Sequence, residues 1–213
     1  MIECIFAFIF LVLNKVVQYS LTMNLLTKKL ILFASGNGSN VENIIKYFKN
    51  NPSIKIVLIA GNNKNAFVFE RAKSHNIQTL IVDKLFFKKE FINNIKKYNA
   101  DLIILAGFLW KVPGYLIKKF PDKIINIHPA LLPKYGGKGM YGDNVHNAVL
   151  KNKEKTTGIT IHLVNREYDK GEIIFQAETK VDSFDDVQSL VKKVQVLEKK
   201  YFPRVIEEYL LKN

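Results

Sequence analysis

The chain has 213 residues, 48% of them hydrophobic, a formal charge of +13 at pH 7 and one cysteine. That length and apolar content suit a folded, enzyme-sized unit with a core of its own and exclude a disordered tail. Cys4 alone closes no internal disulfide and no Cys/His cluster has metal-ligand spacing, which excludes a disulfide scaffold, leaves no metal site expected and fits a cytoplasmic setting. The charge comes from lysine pairs scattered along the chain, such as Lys96-Lys97 and Lys192-Lys193, with three arginines, Arg71, Arg166 and Arg204. Scattered pairs read as solvated helix faces, so no nucleic-acid partner is expected.

Residues 1–22 read as an appendage. Ile5 to Leu13 is unbroken apolar sequence, short of the roughly twenty residues a membrane span needs. Glu3 before it and Lys15 after it do not fit a secretory signal. No membrane association is expected, and the folded domain is placed at residues 23–213.

Leu30-Ile31-Leu32-Phe33-Ala34 has the character of a buried parallel strand. It feeds Ser35-Gly36-Asn37-Gly38-Ser39-Asn40, after which Val41, Ile44, Ile45 and Phe48 recur at helical spacing. Strand, glycine loop and helix make a phosphate-binding arrangement, with free N–H groups at the helix N-terminus and Ser39 or Asn40 able to cap or contact. A dinucleotide fingerprint is not met. Val41 stands at the third glycine position, and the next strand, residues 54–62, ends without the acid that would hold a ribose hydroxyl. A single phosphate fits better; an Asn-Gly turn that caps a helix is the plainer alternative.

The alternation continues with a helix over residues 66–75, a strand over 79–82, a lysine-faced helix over 87–98 and a central strand over 101–108. Short apolar strands alternating with helices imply a twisted parallel sheet. Leu109, Trp110, Lys111 and Val112 then form a loop at a strand's carboxyl end. In the strand Ile124-Ile125-Asn126-Ile127-His128, residues two apart share a face, so Asn126 and His128 converge while Ile125 and Ile127 turn away. Pro129 ends the strand where the imidazole emerges, the edge at which α/β sheets keep their ligands.

Beyond Pro133 the glycine-rich Gly136-Gly137-Lys138-Gly139-Met140-Tyr141-Gly142 reads as a functional loop, and Asp143 as the cap of a helix through Leu150. Residues 157–164 form a strand in which His162 reads as structural. A turn carrying Asp169 leads to a strand over 173–179. The last helix, from Asp185 to about Tyr201, places Glu198 on its apolar stripe, where a carboxylate is costly unless a cation or donors meet it.

Together, Ser35 to Asn40, Leu105-Ala106-Gly107-Phe108, Asn126 to Tyr135, Thr157 to His162 and Asp169-Lys170-Gly171 resemble the phosphoribosylglycinamide formyltransferase family, from about Leu30 onward. The resemblance implies a Rossmann-like α/β formyltransferase fold, a mostly parallel twisted sheet with helices on both faces. Its phosphate-binding half falls at about 23–123 and its formyl-transfer half at about 124–213. It also implies transfer of a formyl group from 10-formyltetrahydrofolate to the amine of glycinamide ribonucleotide by a monomer or homodimer. Asn126, His128 and Asp169 match the catalytic trio, with a protonated His128 and Asn126 stabilising an oxyanion and Asp169 assisting proton transfer. Gly38, Ser39 and Asn40 match the phosphate site, and Glu198 the residue that holds the glycinamide end. The folate is implied to lie against Leu109, Trp110, Lys111, Val112, Asn126 and Asp169, with Lys89 near its acidic tail. Lys89 and Trp110-Lys111 depart from the arginine-bearing patterns frequent among relatives, and residues 136–146 form a longer loop. Methionyl-tRNA formyltransferase, formyltetrahydrofolate hydrolase and a basic RNA-binding module are the competing readings.

Overall fold

The computed structural model describes residues 27–83 and 91–212. The appendage at 1–22, Lys89 and the start of the expected 87–98 helix lie outside the described residues. Among those described, seven strands form one sheet in the order β3-β2-β1-β4-β5-β6-β7. They are β1 Lys28–Ala34, β2 Ile54–Gly61, β3 Thr79–Ile81, β4 Leu102–Leu105, β5 Ile124–His128, β6 Thr156–Leu163 and β7 Ile173–Lys180. The first five run parallel, while β6 and β7 extend the sheet antiparallel to their neighbours.

The two-residue period of the strands divides the core. Leu30, Leu32 and Ala34 of β1 join one buried cluster, Ile31 and Phe33 the other. Helices α1 (Ser39–Phe48), α2 (Val68–Ser74) and α6 (Val187–Lys212) cover the first face. Helices α3 (Phe91–Lys96) and α4 (Gly114–Lys119) cover the second. Helix α5 (Asp143–Lys151) packs against α6. An α/β sheet with helices on both faces is therefore observed. None of the helices among the described residues is long and apolar enough to cross a membrane.

Three local expectations are corrected. The last helix does not stop near Tyr201 but runs through Pro203 to Lys212. Proline removes the N–H that Lys199 O would receive, and Asn43 Nδ2 donates to that carbonyl instead at 2.9 Å. The N-cap of α1 is Gly38, with no side-chain cap bond from Ser39 or Asn40. Its φ of +73° suits glycine, and a Cβ there would lie 2.5 Å from Val68 Cγ2. Asp143 likewise occupies the first turn of α5 behind the N-cap Gly142.

Candidate active site

The order β3-β2-β1-β4-β5 places β1 beside β4, and their carboxyl ends open a crevice where chain direction around the sheet reverses. Ser35 N donates to Gly107 O at 3.0 Å, and Leu109 N donates to Ser35 Oγ at 2.8 Å. These bonds tie the glycine loop after β1 to the loop after β4.

One strand further, the register of β5 against β6 sets Asn126 opposite His162 and His128 opposite Thr160. Thr160 Oγ1 donates to Ala130 O at 2.7 Å and accepts from Leu132 N at 3.0 Å. Gln176 on β7 reinforces the clamp, its Nε2 donating to Thr160 Oγ1 at 2.8 Å and to Leu132 O at 3.0 Å. The turn that follows His128 is thus held from beneath by two neighbouring strands.

Asp169 arrives from the β6–β7 turn with a φ of +54°, a conformation uncommon for a non-glycine residue and one that aspartate tolerates. Its Oδ2 accepts from Gly137 N at 2.8 Å and lies 3.7 Å from His128 Nδ1, and its Oδ1 lies 3.6 Å from His162 Nε2. Amide, imidazole and carboxylate, distant in sequence, therefore meet as expected. Burial disfavours the charge on Asp169, yet its carboxyl is held below the usual range by its surroundings, the Gly137 N–H donating to it directly.

His128 is under two opposing influences. The ring is 4% exposed, and burial pushes its pKa down, outweighing the attraction of Asp169 and the carbonyl of Tyr135. Burial therefore favours the neutral ring, against the pull of the carboxylate. Tyr135 O can only accept, so Nε2 carries the hydrogen across their 2.8 Å contact and Nδ1 keeps its lone pair toward Asp169. The same logic gives His162 its hydrogen on Nδ1, 2.8 Å from Leu163 O, leaving Nε2 to accept from Asn126 Nδ2 at 3.1 Å. Asn126 keeps one N–H for the cleft.

Two cavities meet at these residues. The larger, about 620 Å³, is lined by Asn40, Leu109, Asn126, His128, Asp169 and Glu198 together with the loop 137–143. The smaller, about 70 Å³, is lined by Trp110, Lys111, Val112, Asn126, His162 and the turn 165–169 apart from Arg166 and by Phe108. Asn126 and Asp169 border both. Asn40 Nδ2 donates to Glu198 Oε2 at 2.9 Å, joining α1 to α6 across the large cavity. Burial pushes the Glu198 carboxyl up, only partly offset by Asn40. Gly38 and Ser39 do not line the cavity, Gly38 being buried against Val68.

The profile of the formyl transferase family matches residues 28–206. The chain belongs to that family. It is 38% identical over 187 residues to "Phosphoribosylglycinamide formyltransferase, chloroplastic" of Arabidopsis thaliana, covering 84% of this chain and 64% of that protein. It is 33% identical over 190 residues to phosphoribosylglycinamide formyltransferase of Bacillus subtilis, covering 86% of this chain and 95% of that one. The structure of phosphoribosylglycinamide formyltransferase from Bacillus halodurans superposes with a TM-score of 0.79 at 29% identity, covering 86% of this chain and 95% of that one.

Within this formyl transferase, two histidines were not legible as site residues. His162 was expected to be structural, but its ring touches both Asn126 and Asp169; only the antiparallel register reveals that. His146, 4% exposed on α5, lines the large cavity. Burial pushes its pKa down. Gln195, one turn before Glu198, also faces the cavity, a position that the spacing of three residues on a helix could have disclosed.

Proposed function

We propose that the chain transfers the formyl group of 10-formyltetrahydrofolate to the amine of glycinamide ribonucleotide, a step of de novo purine biosynthesis, directly and without a covalent enzyme intermediate. The observation that carries this reading is the pair of cavities that share Asn126 and Asp169 as a common border. One cavity serves the ribonucleotide and the other the pterin, and the reacting carbon crosses between them.

The names of the relatives support the substrates, and the residues supply a chemistry. The amine nitrogen attacks the formyl carbon and the carbonyl electrons move to oxygen. The free Asn126 N–H donates to that oxyanion. Neutral His128 accepts the proton of the attacking amine at Nδ1, while its Nε2–H remains on Tyr135 O. The imidazolium so formed is stabilised by Asp169, 3.7 Å away. His128 then returns the proton to the folate nitrogen as its bond to carbon breaks, and the neutral ring is regenerated.

Glu198 accepts from the glycinamide end, and the phosphate is assigned to the N-terminus of α1 at Gly38, Ser39 and Asn40, where the first-turn amides have no partner within the helix and Asn40 lines the large cavity. Trp110, Lys111 and Val112 of the small cavity, with Leu109 on the side of the large one, are assigned to the folate. The small cavity, of about 70 Å³, is bordered by Trp110 and by Tyr168, the residue over whose ring Lys111 Nζ sits at 5.4 Å.

The direct test is formylation by the purified full chain. Product is expected only with both glycinamide ribonucleotide and 10-formyltetrahydrofolate present. Formate release without acceptor would favour hydrolysis, and no turnover with either would remove the proposal.

A further inference from the structure

Resting on that reading of the large cavity, we infer that Lys138, carried on the glycine-rich loop after Tyr135, is the cation that selects a phosphorylated amine substrate by pairing with its phosphate across the cavity from Asn40.

The argument begins with charge. Among the described residues, the cavity is lined by three carboxylates, Asp143, Asp169 and Glu198, and by one lysine or arginine, Lys138. His128 and His146 are driven toward neutrality by burial. Burial also favours the neutral form of Glu198, so Asp143 and Asp169 are the carboxylates that repel an entering phosphate dianion unless a cation meets it. The helix N-terminus of α1 offers partial charge only, and the cation nearest its loop is already committed. Arg71 Nε donates to Asn37 O at 2.8 Å, its Nη2 donates to Asn37 Oδ1 at 3.2 Å, and its Nη1 stands 3.5 Å from Glu42 Oε2. Arg71 therefore holds the loop in shape and shares Glu42 with Lys46, which stands 3.0 Å from Glu42 Oε1.

Lys138 differs in both respects. It is exposed, and it lines the cavity. Its neighbours Gly137 and Gly139 adopt φ values of +99° and +90° with nothing within 4 Å of where a Cβ would stand. The carbonyls of both glycines are engaged within the loop, Gly137 O by Met140 N at 3.1 Å and Gly139 O by Tyr141 N at 3.2 Å, so it is the flexible lysine side chain that turns to the ligand. Gly137 N is meanwhile fixed to Asp169 at 2.8 Å, so the base of the loop is anchored at the reaction centre while Lys138 projects from it. A charged partner on this loop links phosphate binding to the position of the carboxylate beside His128.

Calorimetric titration tests the assignment. Glycinamide ribonucleotide, its dephosphorylated counterpart glycinamide riboside, and 10-formyltetrahydrofolate are each titrated into the full chain, Lys138→Gln and Lys138→Arg. A charge-assisted contact to phosphate corresponds to about a ten-fold change in affinity, smaller at high salt. Lys138→Gln is expected to weaken the ribonucleotide about ten-fold and leave the riboside unchanged, with Lys138→Arg restoring most of the loss. Unchanged ribonucleotide affinity in Lys138→Gln, or equal loss for both ligands, overturns the assignment. So does a loss confined to 10-formyltetrahydrofolate, which would place the lysine on the donor's carboxylates. A wild-type chain that binds the ribonucleotide with this lysine dependence but does not formylate it overturns only the proposed reaction.

Discussion

The centre of the site and its rim are built on different principles. At the centre, Asn126, His128 and Asp169 are each fixed by a second group: His162, the carbonyl of Tyr135 and the amide of Gly137. The turn behind them is clamped by Thr160 and Gln176. At the rim, Lys138 and Tyr141 stand exposed on a glycine-rich loop, and Asn40 and Glu198 hold mainly each other. The comparison teaches a division of labour. Preorganised groups act on the transition state and should govern kcat, whereas adaptable groups meet the ground state and should govern KM.

The strongest way to break this comparison is at the centre. Asn126→Ala and His128→Ala are each expected to lower kcat about 10³-fold with KM little changed, within the range set by lost oxyanion stabilisation or proton transfer. The double variant should fall well short of the product of the two losses, because both act on one step. Steady-state kinetics on the three proteins decides this.

Next comes Asp169→Asn, expected to lower kcat about 10²-fold. It also carries a pH signature. His128 acts as the neutral base and burial depresses its pKa, so activity should fall on the acid side, at a pH lower than the ordinary histidine value. Asp169 raises that pKa; without it the imidazolium is less favoured, and the acid limb of the pH–rate profile should move to lower pH. A shift to higher pH would contradict the assigned roles.

At the rim, Glu198→Gln should raise KM for the ribonucleotide about ten-fold while leaving kcat within a few-fold. Stability should move the other way. The folded-state pKa of Glu198 is raised by burial, so the native protein binds this proton more tightly than the unfolded chain does. Stability from this group is therefore lost as pH rises through that window. The neutral amide escapes the loss, so the melting temperature at pH 7 should rise. The smallest catalytic effect is expected from Thr160→Val, which leaves Ala130 O and Leu132 N without the hydroxyl. A loss of about 1–3 kcal/mol in stability, with only a few-fold change in kcat, is the expected outcome in denaturant titration and assay.

Much of the fold was legible because the strands are short apolar runs whose parity survives into the structure. Ile125 and Ile127 do turn into one core while Asn126 and His128 emerge together. Helix α4 had no such stripe, and only Leu116 is buried along it. Helix α6 passes Pro203 because a side chain from α1 serves the orphaned carbonyl, a long-range compensation that local sequence does not encode. In the site, Asn126, His128 and Asp169 were legible by resemblance. His162 was not, since a histidine alternating with Thr160 and Leu163 looks structural until β6 is laid against β5. Nor was the burial of His128 legible, and it is packing that sets burial against the neighbouring carboxylate.

Rapid-quench kinetics with formyl-labelled 10-formyltetrahydrofolate tests most directly whether the group passes straight between two small molecules at this junction. Label is expected to leave the donor and enter the ribonucleotide in one phase, with none on the protein, and to stay on the donor in His128→Ala and Asn126→Ala on the same timescale. A burst of protein-bound label, or transfer at an undiminished rate in either variant, would contradict the account.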